Sequence, residues 1–286
     1  MSELRDLVAE ELSAPVDPRV TEVASAIAAR HGSASQAVLF YGSCLRQCEL
    51  DGLMLDFYLI VSDYRSAYAK RWLAAANRLI PPNVFYFQHG GLVAKYAVLS
   101  EPDFARLNGP ETRNVSVWAR FAQPSRLVWA AGSAARNRAI DAVGRAAPTL
   151  LAAAGPRPGE ASLELWRRAF ALTYSAELRA ERTGRAASVV DLEPERYERF
   201  YGPALATAQS LHPAGSWAVR RIEGKALSVA RLAKASFTFA GGADYIAWKI
   251  NRHAGTRIEL TPWQRRHPLL AGLTLLPKLL RSGAVR

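Results

Sequence analysis

Ala37 to Val61 reads AVLFYGSCLRQCELDGLMLDFYLIV, and the fold turns on how this stretch is read. A first apolar run, Ala37 to Tyr41, stops at Gly42-Ser43; a second, Leu53 to Val61, carries a single carboxylate, Asp56, in its middle. Short apolar runs rich in Val, Phe, Tyr and Ile, bounded by Gly and polar residues, form buried strands. A charge inside such a strand is unfavourable unless it is paired or holds a metal. Strand, Gly-Ser turn, short connection and carboxylate-bearing strand together can hold a magnesium-bound nucleoside triphosphate. The turn's N–H groups would take phosphate oxygens and the carboxylate would take the metal. Taken singly, each feature has a plainer meaning: Gly42-Ser43 as an ordinary turn, Asp56 as a structural ion-pair partner.

The chain of 286 residues is half hydrophobic, which excludes a disordered protein and allows one large domain or two modest ones. Cys44 and Cys48 are too few for a disulfide framework, and their spacing lacks the second ligand pair of a zinc site. Reduced thiols and a cytoplasmic location are expected. Met1 to Pro15 is mixed and acidic, with no apolar core of a secretory signal. No run approaches the roughly 20 apolar residues that span a bilayer. The net charge of +12 is unevenly placed: from Trp217 to Arg286 there are 13 Lys+Arg against 3 acids, a net of +10. Such an end seeks phosphate, on nucleic acid or on anionic lipid. No RNA-recognition motif, zinc-finger spacing or helix-turn-helix pattern accompanies it, so a silent nucleic-acid binder is the weaker reading.

Outward from the central stretch, Val20, Val23, Ala24, Ile27 and Ala28 form a helical stripe that ends at His31-Gly32. Asp63 to Leu79 reads as one helix, stopped by Pro81-Pro82. Val84–Gln88 and Leu92–Leu99 read as a hairpin turning at Gly90-Gly91. Lys95 sits inside its second strand, so it lies either at a sheet edge with its head in water or pointing into a site; pattern alone favours the edge. Gln123-Pro124-Ser125 and the Ala/Gly-rich tract from Ala130 to Ala135 close a first domain, residues 1–130. Ala134–Leu151, Leu163–Ala180 and Glu193–Ala208, the last interrupted at Gly202-Pro203, read as helices of a second domain, residues 131–215. Residues 216–286 are basic, with helices expected at Ile222–Lys234 and Ala243–His253. The run HPLLAGLTLLPKLLRS, His267 to Ser282, is too short to span a bilayer. It reads either as a terminal helix docked on the protein or as an interfacial membrane helix with basic flanks.

These residues resemble a family. YGSCLRQ and LMLDFYLIV resemble the YGSG and MLDF core of the mitochondrial-type CDP-diacylglycerol synthases, the translocator assembly and maintenance family. RLIPPNVFYFQHGGLVAKYAVLS resembles the family's strand pair, including Val84, Phe85, Tyr86, Lys95 and Tyr96. WARFAQPSRLVW carries its Arg-x3-Pro element at Arg120 and Pro124. LTYSAELR (Leu172 to Arg179), YERFYGPAL (Tyr197 to Leu205) and LAKASFTFAGG (Leu232 to Gly242) follow in order. The resemblance implies an α+β fold: a DNA polymerase β-like nucleotidyltransferase domain, a helical, winged-helix-like domain and a membrane-facing basic C-terminal region. It implies phosphatidate cytidylyltransferase activity with CTP and Mg2+, on phosphatidate in an anionic membrane, peripheral on the inner face of the cell membrane. Asp56 would be the metal carboxylate. Gly42, Ser43, Arg46, Tyr86 and Arg120 would bind nucleotide, and Lys95 would neutralise phosphate charge. The broad nucleotidyltransferase signature has a second carboxylate two residues after the first, but Tyr58 stands there, so Asp51 is the first choice for a second metal ligand and Asp63 the next. Cys44 replaces the family's third small residue. A nucleotidyltransferase with a soluble acceptor is the alternative.

Overall fold

The computed structural model describes residues 2–46, 49–177, 189–238, 259 and 261–263. Five strands form one mixed sheet: β1 (Ser35–Tyr41), β2 (Met54–Val61), β3 (Asn83–His89), β4 (Leu92–Ser100) and β5 (Ser125–Ala130). Their order is β3-β4-β2-β1-β5; β2 and β4 are parallel and the other neighbours antiparallel. The helices are α1 (Glu3–Ser13), α2 (Pro18–Arg30), α3 (Tyr64–Ala67), α4 (Arg71–Leu79), α5 (Glu101–Asn108), α6 (Trp118–Phe121), α7 (Ser133–Gly144), α8 (Ala146–Ala154), α9 (Ser162–Ala176), α10 (Pro194–Ala208) and α11 (Trp217–Thr238). The architecture is α+β.

Period-two alternation gives the sheet two apolar faces. On one, Val38, Phe40, Leu55, Phe57, Leu59, Tyr96 and Val98 pack with Val20, Val23 and Ile27 of α2 and Ala74 of α4. On the other, Leu39, Tyr41, Tyr58, Ile60, Ala97, Leu99 and Leu127 join a cluster that runs from Leu4 of α1 through Trp118, Trp166 and Phe170 to Ala208 of α10. Sheet and helices up to residue 208 therefore share one continuous core on this second face. Ion pairs reinforce the closure: Arg196 of α10 donates through Nε to Glu11 of α1 at 2.6 Å and through Nη1 to the Ala122 carbonyl at 2.8 Å.

Several elements differ from the sequence reading. The helix expected over Asp63–Leu79 is broken into α3 and α4, because Tyr68 at the junction adopts extended backbone. Between Gln123-Pro124-Ser125 and the Ala130–Ala135 tract, both read as closing the first domain, lies the edge strand β5, for which the sequence reading had no element. The helix expected over Ala134–Leu151 is divided at Arg145, whose Nη1 donates to the Ala105 carbonyl at 2.9 Å. Helix α10 runs unbroken through Pro203; burial of Phe200 and Ala204 on either side outweighs the lost backbone bond. The expected helices at Ala243–His253 and His267–Ser282 lie outside the described residues.

Candidate active site

Asp56 belongs to the face that carries Tyr58 and Ile60, in the middle of β2 with strands on both sides. Its register partners are Tyr41 on β1 and Lys95 on β4. Tyr86 on β3 stands opposite Lys95 in turn. Residues directly opposite share a face, so Tyr41, Asp56, Lys95 and Tyr86 make a row across four strands. Lys95 is thus on an interior strand, correcting the edge placement favoured from pattern. Its Nζ lies 3.0 Å from Asp56 Oδ1 as an ion pair, with 20% of the aspartate side chain exposed. The contact lacks hydrogen-bond geometry: Oδ1 is buried and accepts no hydrogen bond among the described residues.

The turn after β1 is built against this carboxylate. Gly42 has φ +95°, a left-handed conformation in which a side chain is strained, and a Cβ there would lie 3.1 Å from Asp56 Oδ2. The positive φ favours glycine, and a side chain there would also press on the carboxylate. Ser43 begins a short 3-10 turn, Ser43–Arg46, and is exposed. Cys44 fastens the turn to β2 by donating through Sγ to the Met54 carbonyl at 3.5 Å.

Above the row lies a cationic cluster assembled from distant parts of the chain. Arg120 of α6 covers the Tyr41 ring, Cζ 4.9 Å from its centroid. Burial disfavours its charge, but Tyr41, Tyr58, Glu177 and Asp56 more than offset this and hold its pKa above the ordinary value. Arg231 of α11 donates through Nε to the Pro81 carbonyl at 2.8 Å and through Nη1 to Ser116 Oγ at 3.0 Å. Its Nη2 is buried without a hydrogen-bond partner among the described residues. Burial pushes the Arg231 pKa down, opposed by Tyr58 and Glu177. Lys234 donates through Nζ to the carbonyls of Ile80 and Pro82; burial and the neighbouring Arg231 push it down to about 7.

Tyr58, at the position where the broad signature carries a second carboxylate, is only 4% exposed. Its ring packs 5.2 Å from that of Phe121 and 5.3 Å from that of Tyr41. Burial raises its pKa, against the opposing fields of Arg120 and Arg231. A carboxylate at 58 would be desolvated inside the core.

The other expected ligands are elsewhere. Asp51 Oδ1 pairs with Arg19 Nη1 of α2 at 3.2 Å, on the opposite face of the sheet, and its side chain is 71% exposed. Asp63 lies seven residues beyond Asp56, about 20 Å along an extended chain. It caps α3, its Oδ1 accepting from Arg65 N–H and Ser66 N–H. The structure brings neither to Asp56, and no group of three metal-ligating side chains occurs among the described residues. Arg46 closes the 3-10 turn after Gly42.

Sequence reasoning missed Glu177, Arg231 and Lys234. Glu177 follows α9 and acts on Tyr58, Arg120 and Arg231. It stands inside the Leu172–Arg179 segment, a signal that named no role. Arg231 was noticed only as part of a basic end expected to face a membrane, and Lys234 there and in the Leu232–Gly242 segment without a role; the structure points both inward. Arg220 also points inward: it is 1% exposed, between Trp118 and Trp217, and donates to the Thr112 and Ala214 carbonyls.

A buried carboxylate oxygen that accepts no hydrogen bond among the described residues and faces the Lys95 ammonium suits a hard cation. Magnesium is commonly held by one or two carboxylates with substrate phosphates completing its shell, so Asp56 fits as a protein ligand. The unpartnered Arg231 Nη2, together with Arg120 and Lys95, suits the anion such a metal accompanies. No protein-family model matches the chain, and no curated protein matches it either.

Proposed function

We propose that the protein is a magnesium-dependent nucleotidyltransferase that transfers a cytidylyl group from CTP to phosphatidate, giving CDP-diacylglycerol and pyrophosphate. The carrying observation is Asp56, a strand-borne carboxylate with a buried, unbonded Oδ1, set against the positive-φ Gly42 and beside Lys95. The choice of CTP and phosphatidate rests on the resemblance that runs from Tyr41 to Gly242. The same proposal reads the sheet as a DNA polymerase β-like nucleotidyltransferase domain and the helices after β5 as the winged-helix-like domain. It places the protein peripherally on the inner face of the cell membrane. Among the described residues no helix is long and apolar enough to cross one.

In this reading Asp56 would hold the magnesium, which when bound would neutralise charge on the transferring phosphoryl group. Gly42 N–H and Ser43 would bind the β and γ phosphates. Lys95 and Arg120 would counter the remaining phosphate charge, with Tyr86 beside Lys95 along the nucleotide. A phosphatidate oxygen attacks the α-phosphorus while the bond to the bridging oxygen breaks and pyrophosphate leaves. That oxygen is already anionic, since a phosphomonoester's second pKa is about 6, so no side chain need remove a proton. Catalysis then reduces to positioning and charge neutralisation.

The test is incubation of purified protein with labelled CTP, phosphatidate vesicles and magnesium, followed by lipid extraction. Label in the lipid phase, dependent on phosphatidate and magnesium, supports the reading. Label transferred only to a soluble acceptor overturns the lipid assignment.

A further inference from the structure

Helix α4 packs Ala74 and Leu73 against the sheet but leaves two large apolar residues outside. Its inward face is fastened to the sheet by buried amides: Asn77 Nδ2 donates to the Val98 carbonyl at 3.0 Å, Asn83 N–H donates to Asn77 Oδ1, and Asn83 Nδ2 donates to the Leu73 carbonyl at 3.0 Å. Two of its large apolar residues point out: Trp72 is 48% exposed and Leu79 80%. Seven residues apart, they lie on one side of the helix, two turns from each other. Arg71 and Arg78 repeat the same spacing beside them, and Lys70 precedes the first turn; all three are exposed. None of these cations is in an ion pair among the described residues. No acid occurs from Tyr64 to Ser100.

We propose that α4 is a docking surface for an anionic lipid bilayer. A tryptophan rests well at the headgroup level, a leucine inserts below it, and basic side chains beside them meet lipid phosphates. A nucleic acid would engage the cations but leave Leu79 in water. Helix α4 packs on the face of the sheet away from Asp56, and the chain leads from it to the cationic cluster: the residue after Leu79 is Ile80, whose carbonyl Lys234 grips, while Arg231 holds the next carbonyl, that of Pro81. Docking rests on the membrane placement proposed above but is measured without turnover, so its failure is told apart from failure of the catalytic reading.

The test uses the full-length protein and vesicles of phosphatidylcholine with or without phosphatidylglycerol, an anionic lipid that is not the proposed substrate. Each cation near such a surface is worth roughly fivefold in partition at low salt. Arg71→Gln with Arg78→Gln should therefore weaken binding to the anionic vesicles about 25-fold, with unchanged circular dichroism and melting. Lipids brominated on the acyl chain should quench tryptophan fluorescence less in Trp72→Phe than in the native protein, because Trp72 sits in the bilayer. The proposal is overturned if the double variant binds within twofold of the native protein. It is equally overturned if Trp72→Phe is quenched to the same extent, or if the native protein binds RNA and not vesicles.

Discussion

Lys95 Nζ lies 3.0 Å from Asp56 Oδ1, and the two residues are register partners on the parallel strands β4 and β2. The aspartate therefore has a resident cation, and the lysine is held where phosphate charge would arrive. Lys95→Met should lower kcat/KM for CTP roughly 10- to 100-fold, the range of a charge-assisted hydrogen bond. Stability should fall by only about 1 kcal/mol, as expected for a partly exposed pair. Steady-state kinetics beside thermal melting separate the two effects. A lower melting temperature with kcat/KM within twofold would mean that Lys95 serves only the fold.

Gly42→Ala joins two penalties. Left-handed backbone disfavours a side chain by about 1–2 kcal/mol, and the new methyl would crowd Asp56 Oδ2. We expect turnover to drop at least tenfold, together with a measurable loss of stability in denaturant. Turnover within threefold of the native protein would show that the turn does not position the carboxylate.

Asp51 and Asp63 give a contrasting pair. Asp51→Asn should leave turnover within about twofold, because Asp51 pairs with Arg19 on the far face and a surface pair contributes 0–1 kcal/mol. Asp63→Ala removes the cap of α3 and should lower stability by about 0.5–2 kcal/mol, with little change in turnover per folded molecule. Loss of more than tenfold in either variant would return that residue to the metal site.

Lys234 predicts a pH dependence. Burial and Arg231 push its ammonium from an ordinary value of 10.5 down to about 7. Between those values the unfolded chain binds the proton and the folded chain does not, so stability rises with pH across this window. Below pH 7 both states are charged and the folded state carries the full penalty of the buried ammonium. The melting-temperature difference between native protein and Lys234→Met should therefore move in favour of the native protein from pH 7 toward 10. A difference that is flat with pH would show that Lys234 is not perturbed.

The sequence made the strands and the carboxylate legible because both are local properties. Short apolar runs bounded by Gly and polar residues mark β1, β2 and the β3–β4 hairpin, and a lone charge in β2 stands out against them. Strand order was not legible, so Lys95 could be placed at an edge when it lies one strand from Asp56. The inward turn of Arg231 and Lys234 was not legible either: a basic helix looks the same whether its cations meet a bilayer or a buried loop, and only the packing of α11 against β3 and α9 decides. Pro203 misled for the same kind of reason, since a local helix breaker yielded to tertiary burial. Strand β5 was hidden by Pro124 before it and Arg126 within it.

The most direct test of the central claim is the rate at which labelled CTP yields lipid-linked cytidylyl product on phosphatidate vesicles at saturating magnesium, for native protein and Asp56→Asn. The substitution keeps the size of the side chain and the strand geometry but removes the charge that would hold the metal. The account predicts product from the native protein and a loss of at least a hundredfold in the variant, with the variant still melting cooperatively. A variant that makes product within threefold of the native rate would contradict it.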